Sequence, residues 1–360
     1  MLNIYITIAL LGLNLLFPKS KQFSFLLFLF MWTLWGWNTW NGDYDAYQLF
    51  FEDSEIKAGE IGFSLYNYAI KSLGFSFQGF MAITAGLLLF FVWRLLLRYT
   101  SYPGLLSVVY FIVFLQGFVY IRNYFLWVII AWGLITAIEN KRGRLKYVFL
   151  TLISSSFHSS GILYLGLLLG ITKKRINARK MILYSMILFV SVFLLFDVFS
   201  FIINRTSFAS SLSYYGDGIY FGTSIIFHFA LVLLFIYIDF KFKKISLTEK
   251  ERDVMTLIYN FNILSLFLLS FYLIIPYMAN RFVCFFVFIN LFYLSSIIKY
   301  SFNKKRLRKF SIMYFGVLLL TAVAMVYVST LPYTVIPLYM CNMIWGDDYS
   351  LHNLNIIDRL

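Results

Sequence analysis

Long apolar runs, separated by short polar connections, follow one another along nearly the whole chain. A helix needs about 20 mostly apolar residues to cross the roughly 30 Å hydrocarbon core of a bilayer. Ten runs approach that length, at about 2–17, 23–40, 76–97, 105–121, 124–139, 181–199, 219–240, 254–275, 282–299 and 310–331. The pattern predicts an all-α polytopic integral membrane protein that forms a single transmembrane domain over 1–360.

The composition excludes several other classes of protein. Of the 360 residues, 61% are hydrophobic and 13% are charged, whereas soluble domains average about 45–50% and about 25%. Two cysteines are too few for the disulfide framework of a small secreted protein. In a membrane protein, a net charge of +14 is typical of basic cytoplasmic loops, so we expect no nucleic-acid partner.

The basic residues indicate which connections face the cytoplasm. Most of the 30 lysines and arginines lie in six connections, at 19–21, 94–98, 141–146, 173–180, 241–252 and 299–309. The positive-inside rule places such loops in the cytoplasm. Lys19 and Lys21 follow the first apolar run instead of preceding it, which is the opposite of a cleaved signal peptide. We therefore expect a retained first span with its N-terminus outside.

The stretch 147–172 breaks the alternation, because it lies between two basic loops and is too short for two full crossings. Its middle is a polar turn at 154–161 that contains His158. We interpret the stretch as a re-entrant pair of half-helices, since irregular backbone at membrane depth must be buried in protein or line a wet cavity. The alternative is one ordinary span, which would place the basic loop 173–180 outside.

The first large external segment, 41–75, is acidic and aromatic at its start. Within 41–60 there are six acidic residues and one lysine. Asp43 and Asp45 alternate with Tyr44 and Tyr47, a combination that suits sugars: rings cover apolar C–H faces and carboxylates accept hydroxyl hydrogen bonds. The alternative is a solvated acidic loop with interfacial tyrosines.

Other external segments are less informative. The stretch 61–75 is amphipathic and predicts a helix lying in the outer interface. The segment 200–218 contains Arg205, and 332–360 forms an external C-terminal tail.

Two arginines lie outside the basic connections that the positive-inside rule assigns to the cytoplasm. Arg122 and Arg281 lie at predicted external helix ends with almost no loop around them. A guanidinium is always charged and can hold phosphate with two parallel hydrogen bonds. The alternative is that each arginine extends to lipid headgroups, but two such external arginines favour a functional role.

His158 is the candidate base, because histidine accepts protons near neutral pH; its alternative role is that of a hydrogen-bonded structural residue. The sequence has no glycine-rich phosphate-binding motif, no HExxH and no Cys/His cluster with metal-ligand spacing. We therefore expect no metal site, no cofactor and no ATP-driven step within this chain.

Several short motifs follow one another along the chain. They are Asp-Tyr-Asp-Ala-Tyr at 43–47, Glu-Ile-Gly-Phe at 60–63, the stretch 71–77, Ile-Arg-Asn at 121–123, Ser-Phe-His-Ser-Ser at 156–160 and Asn-Arg-Phe at 280–282. Together they extend over about residues 40–300, and their order resembles the EpsG family of Wzy-type polysaccharide polymerases.

The resemblance implies a multi-pass glycosyltransferase of the bacterial cytoplasmic (inner) membrane, with its active site facing the periplasm or exterior. Such enzymes move a growing glycan from undecaprenyl diphosphate to the terminal sugar of another lipid-linked repeat unit. The implied partners are the undecaprenyl-diphosphate-linked oligosaccharide, membrane lipid, a chain-length regulator and a flippase. The product is O-antigen, capsule or exopolysaccharide, and the sequence does not choose among them.

These inferences lead to a hypothesis for the mechanism. Arg122 and Arg281 hold the diphosphate of the donor, and the base is His158 or a carboxylate. The carboxylate candidates are Asp43, Asp45 and Glu60. The substrate-binding candidates are Tyr44, Tyr47, Asn123, Arg205, Tyr277 and Asn280.

Two other classes remain open. Helices broken around a polar turn also occur in transporters, so a flippase for lipid-linked oligosaccharide is one alternative, although the chain has no repeat and no series of intramembrane carboxylates. A membrane O-acyltransferase of surface glycans is the other. An O-antigen ligase is disfavoured because the segment 200–218 is short.

Overall fold

The computed structural model describes residues 2–53, 60–139, 142–195, 198, 223–242, 248–267, 276–301, 309, 312–313, 315–317, 320 and 338–345. Across these ranges the regular elements are helices, and one isolated antiparallel bridge joins Asn38 to Asn342. The predicted all-α class is therefore confirmed. The chain divides into a first compact unit, 1–166 with 326–360, and a second, 167–325.

The first unit contains eight α-helices within its described ranges. They are α1 (Leu2–Leu16), α2 (Lys21–Gly36), α3 (Tyr44–Asp53), α4 (Ile61–Ser72), α5 (Phe77–Tyr99), α6 (Pro103–Val113), α7 (Ile121–Glu139) and α8 (Gly143–Phe157). A short 3-10 helix, Leu115–Phe118, follows α6, and a long one, Ser159–Gly170, follows α8. In the second unit we describe α9 (Ala178–Leu194), α10 (Thr223–Phe242), α11 (Glu249–Ser265) and α12 (Pro276–Ser301).

The apolar runs form helices, but most of these helices are shorter than a full span. Among the described residues, Phe77–Tyr99 alone is long and apolar enough by itself to cross a membrane. The shorter apolar helices are Leu2–Leu16, Pro103–Val113, Ile121–Ala137, Ser159–Gly170, His228–Phe240 and Arg281–Ser295. These segments overlap the predicted runs or the predicted re-entrant pair, which is consistent with a helical membrane protein.

Polar residues fix where several helices begin. The Ser20 side chain accepts a hydrogen bond from the amide of Phe23 and caps α2, and Ser76 caps α5 in the same way through Gly79. These side chains satisfy amides that have no partner within the helix. Pro103 opens α6, where a missing amide costs nothing.

The first unit has two chemically distinct ends. At one end the amide of Leu105 donates to the carbonyl of Pro18 (3.3 Å), and Lys19 lies 5.5 Å from the centre of the Tyr102 ring. At the other end Gln78 donates to the carbonyl of Gly36 (2.5 Å). Because consecutive helices run back and forth, the basic connections gather at the first end and the starts of α4 and α7 lie at the second.

The chain reverses at His158, as predicted for a re-entrant pair. The Tyr147 hydroxyl, near the start of α8, donates to the carbonyl of Tyr164 (2.6 Å). A chain that continued straight would carry Tyr164 far beyond reach. The two pieces are longer than half-helices, because α8 already begins at Gly143 and a 3-10 helix rises about 2.0 Å per residue. They extend about 22 Å and about 24 Å.

Three other boundaries differ from the prediction. The run 105–121 divides into α6 and the short 3-10 helix. Helix α7 begins at Ile121, three residues early, so that Arg122 lies in its first turn. The acidic stretch after α2 forms the helix α3 in place of an extended loop.

Residues 338–345, within the predicted C-terminal tail, pack against the N-terminal helices. The Asn3 side chain donates to the carbonyl of Tyr339 (2.6 Å). Asn342 donates to the carbonyls of Thr33 (3.1 Å) and Leu34 (2.9 Å). This segment therefore joins the start of α1 to the end of α2.

Buried amides hold α11 and α12 together in the second unit. Asn262 and Asn290 donate to each other's side-chain oxygens at 2.9 and 3.0 Å, and both are fully buried. Beside them His228 of α10 contacts the Ser265 hydroxyl (3.0 Å). Polar contacts of this kind are a common means of joining helices in apolar surroundings.

In the second unit an ion pair joins the basic segment before α9 to the end of α10. Arg175 donates from both terminal nitrogens to the Asp239 carboxylate, one of these bonds measuring 2.9 Å, and its guanidinium lies 4.9 Å from the centre of the Tyr259 ring. The Asp239 side chain is only 3% exposed. The Asp239 carboxylate is therefore paired with a basic residue of the segment that precedes α9.

Replacing Arg175 by alanine should destabilise the protein by about 3–5 kcal/mol, because a buried carboxylate then lacks its partner. The measurement is thermal unfolding in detergent, with Arg179→Ala as the control because Arg179 is exposed on the same basic segment. An unfolding temperature for Arg175→Ala equal to that of Arg179→Ala would show that the pair contributes nothing.

Candidate functional site

An ion pair joins the start of α7 to the residue that precedes α4. The Nη1 atom of Arg122 donates to Oε2 of Glu60 at 2.5 Å. Both side chains are largely buried, with 24% and 21% of their surfaces exposed. The sequence singled out these two residues separately, 62 positions apart, and the structure brings them together at the end of the unit remote from the basic connections.

Three aromatic rings surround the Arg122 guanidinium. Its Cζ atom lies 5.6 Å from the ring centre of Tyr47, 5.1 Å from that of Phe50 and 5.8 Å from that of Phe63. Each contact is a cation–π interaction, which strengthens as the cation loses water. We call these three rings and Arg122 the Arg122 cage. Helix α3 supplies Tyr47 and Phe50, and α4 supplies Phe63.

Tyr47 is a neutral phenol within this cage. Burial, and to a lesser degree the carboxylate of Asp43, raise the pKa of Tyr47 to about 12, while the neighbouring Arg122 acts in the opposite direction. The negative charge that balances Arg122 therefore comes from Glu60 and not from Tyr47.

Several buried polar atoms around Arg122 have no hydrogen-bond partner among the described residues. They include Nε of Arg122 and the side-chain oxygen of the adjacent Asn123. Buried polar atoms in folded proteins are nearly always paired. An oxygen-rich ligand that reached Arg122 would supply the acceptor that Nε lacks.

A chain of asparagines positions Asp43. Asn38 donates to the carbonyl of Cys341 (2.9 Å), and Asn41 donates to the side-chain oxygen of Asn38 (3.3 Å). The amide of Asp43 in turn donates to Asn41 Oδ1 (3.0 Å). The segment 338–345 therefore supports the loop that carries one of the predicted carboxylates.

Tyr44 and Asp45, the next two predicted residues, begin α3 and lie nearer the surface. Asp45 is exposed. Tyr44 is partly buried and packs edge-on against Phe77, with ring centres 5.1 Å apart. Burial raises the pKa of Tyr44, and the charge of Asp45 raises it further. Both residues are therefore accessible to a ligand beside the Arg122 cage.

Helix α4 packs directly onto the end of α8 at Gly62. A Cβ atom on Gly62 would lie 2.1 Å from Oγ of Ser156 and 3.1 Å from its backbone carbonyl carbon, so only glycine fits without movement. One residue further, Phe157 stacks on Phe125 of α7 with ring centres 4.9 Å apart. These contacts bring the starts of α4 and α7 and the end of α8 to one place.

His158 follows directly as the C-terminal cap of α8. Its backbone amide donates to the carbonyl of Ser154 (3.2 Å), and its ring is nearly buried. The ring nitrogen Nδ1 contacts both the backbone amide (3.2 Å) and the hydroxyl (2.8 Å) of Ser160. The sequence placed His158 in a polar turn, and the structure adds Ser160 as the residue that orients it.

The remaining predicted site residues are not part of this cluster as described. Arg281 lies in α12, in the second unit. The side chains of Tyr277 and Asn280, and all of Arg205, fall outside the described part of the structure. Their roles stay predictions. Within the described ranges there is no group of three or more His, Cys, Asp or Glu side chains that could hold a metal ion.

Sequence reasoning assigned no site role to Phe50, Phe63, Gly62 or Ser160, although the last three lie in motifs that carry the family resemblance. Tyr47 and Phe50 stand three residues apart, so a helix there would have placed both rings on one face. A helix predicted over 44–53 would therefore have indicated Phe50 as a neighbour of Tyr47. The contact between Gly62 and Ser156 joins distant parts of the chain, and nothing local in the sequence indicates it.

The comparisons with known proteins give one finding. Comparison with curated proteins found no match, and comparison with solved structures found none either. The model of the EpsG family matches residues 21–335, which include every element of the Arg122 cage and His158. On this match over most of its length, the chain belongs to the EpsG family.

Proposed function

We propose that the protein is a Wzy-like polysaccharide polymerase. It transfers a growing glycan from undecaprenyl diphosphate to the terminal sugar of another lipid-linked repeat unit. A hydroxyl of the acceptor sugar attacks the anomeric carbon, and the bond from that carbon to the diphosphate oxygen breaks. The hydroxyl proton passes to a base on the protein, and undecaprenyl diphosphate leaves with the negative charge.

The observation that carries this proposal is the Arg122 cage. Aromatic rings hold the Arg122 guanidinium in place, and its Nε atom has no acceptor among the described residues. Such a group suits an oxygen-rich anion. Negative charge grows on the diphosphate as its bond to the sugar breaks. A preorganised cation in a largely dry site therefore stabilises the transition state more than the ground state.

Glu60 has two successive roles in this proposal. Without substrate it neutralises Arg122, which spares the protein an unpaired charge in a partly buried place. When the diphosphate binds, its oxygens take over the guanidinium, and the Glu60 carboxylate becomes available to accept a proton. Asp43 and Asp45, at the start of the helix that supplies Tyr47 and Phe50, are the other carboxylates that we assign to the acceptor sugar.

The location of the cage supports a reaction on the outer face of the cytoplasmic membrane. Arg122 and Glu60 lie at the end of the first unit opposite the basic connections around Lys19 and Arg98. The positive-inside rule assigns basic connections to the cytoplasm. A site at the opposite end then meets repeat units that have already crossed the membrane.

The test is deletion of the gene in its host, followed by gel analysis of the extracted surface glycan. A strain that carries only single repeat units, and that regains the ladder of long chains with the wild-type gene, would support the proposal. A full-length ladder lacking one substituent would favour an O-acyltransferase, and absence of any unit on the outer face would favour a flippase.

Arg281→Ala should fail to restore the ladder, because Arg281 is the second arginine that the sequence places at an external helix end. Complementation of the deletion strain measures this, with immunoblotting to show that the variant accumulates normally. Wild-type polymer from Arg281→Ala would remove Arg281 from the mechanism and would leave the role of Arg122 untouched.

A further inference from the structure

The contacts of His158 fix which of its ring nitrogens carries the proton. The backbone amide of Ser160 donates to Nδ1 at 3.2 Å. An amide always brings a hydrogen, so Nδ1 must present its lone pair. The Ser160 hydroxyl, 2.8 Å from the same atom, then donates as well. A neutral imidazole has one N–H, and in this geometry it lies on Nε2.

We infer that His158 acts as a hydrogen-bond donor through Nε2–H and not as the base of the reaction. This inference rests on the proposed function and specifies the role of His158 within it. A base must offer a lone pair to the proton that it removes. Nε2 could do so only if the proton moved to Nδ1. The N–H of Nδ1 would then face the amide N–H of Ser160, and two donors cannot form a hydrogen bond with each other.

His158 follows a helix end that lies close to Arg122 and Glu60. The stacking of Phe157 on Phe125 holds the end of α8 beside the first turns of α7, where Arg122 lies. The contact of Gly62 with Ser156 holds the same end beside Glu60. An N–H donated from this place to an oxygen of the diphosphate would stabilise the same growing charge as Arg122.

The inference also removes His158 from the candidate bases and leaves only carboxylates. With His158 excluded, the proton of the acceptor hydroxyl passes to one of the predicted carboxylates, Glu60, Asp43 or Asp45. Ser160 becomes a positioning residue, because its amide and hydroxyl set the tautomer of His158.

The tautomer is measured directly by nitrogen NMR of protein labelled at its histidine rings. The chain contains three histidines, and the signals of His158 are those that disappear in His158→Gln. We expect the proton on Nε2. A proton on Nδ1 would overturn the inference whether or not the protein is a polymerase.

Activity of two variants provides the second test. Glutamine can place an N–H close to the position of Nε2 but cannot act as a base. We expect His158→Gln to extend chains within about tenfold of wild type, and His158→Ala to lose about 10²–10³-fold, the usual cost of one such donor. Ser159→Ala, at the exposed neighbouring residue, is the control that should extend normally.

The outcomes separate the two claims. If wild type extends chains and His158→Gln is as inactive as His158→Ala at equal protein level, His158 is the base and the inference is wrong. If wild type itself extends nothing, the proposed function is wrong, while the NMR result still decides the tautomer.

Discussion

Replacing Arg122 by alanine should abolish chain extension. The guanidinium is the cation in the cage of Tyr47, Phe50 and Phe63, and loss of one preorganised group that stabilises growing negative charge costs about 10²–10³-fold in rate. Arg122→Lys should recover only part of the activity, because lysine cannot hold a diphosphate with two parallel hydrogen bonds. The measurement is the glycan ladder in the complemented deletion strain.

The matched control exchanges the charges of the pair. The double variant Glu60→Arg with Arg122→Glu restores an ion pair between α4 and α7 but removes the cation from the cage. We expect it to accumulate better than Arg122→Ala and to remain inactive. Arg94→Ala, at an exposed arginine on α5 near the basic end, should make wild-type polymer. Extension by the exchanged pair would mean that Arg122 serves only to hold the fold.

Replacing Gly62 by alanine should strongly reduce chain extension, although glycine to alanine inside a helix is usually favourable. The new Cβ atom would lie 2.1 Å from Oγ and 2.9 Å from Cβ of Ser156, so that α4 must move away from α8. Glu60 precedes α4 and would move with it. Displacement by about 1 Å at a reacting centre can cost about 10²-fold in rate, and we expect a loss of that size.

The control for Gly62→Ala makes room for the new Cβ atom by removing a side chain from α8. Ser156→Gly removes both close side-chain atoms, so the double variant Gly62→Ala with Ser156→Gly should recover much of the lost extension. Gly12→Ala on α1 meets nothing within 4 Å and should extend normally. Full activity of Gly62→Ala alone would show that the contact between α4 and α8 does not position the site.

The sequence predicted the features of this fold that depend on local patterns. Apolar runs locate the helices because burial of a continuous apolar surface is the main requirement in a membrane. The reversal at His158 was predicted from charge, since the basic loops on both sides must lie on the same face. The length of the second piece was underestimated because 3-10 geometry at Ser159–Gly170 cannot be distinguished from α-helix by periodicity over so few residues.

The candidate site was predictable only in part. Arg122 stood out because an unaccompanied charge between two apolar runs is costly and therefore rarely incidental. That Glu60 is its partner is a tertiary fact, which depends on how α4 and α7 pack. The same holds for Tyr47, whose alternation with acidic residues suggested contact with sugar, and which instead contacts Arg122 in this structure. A role for it in binding sugar stays a prediction.

The central claim is that Arg122 holds the diphosphate while the glycan is transferred. The most direct measurement uses purified protein in liposomes, with lipid-linked repeat units from the host as the only substrate. For wild type we predict longer lipid-linked glycans and one undecaprenyl diphosphate released for each new linkage. For Arg122→Ala, folded to the same extent, we predict neither product. Equal extension by the two proteins, or no extension by wild type, would contradict the account.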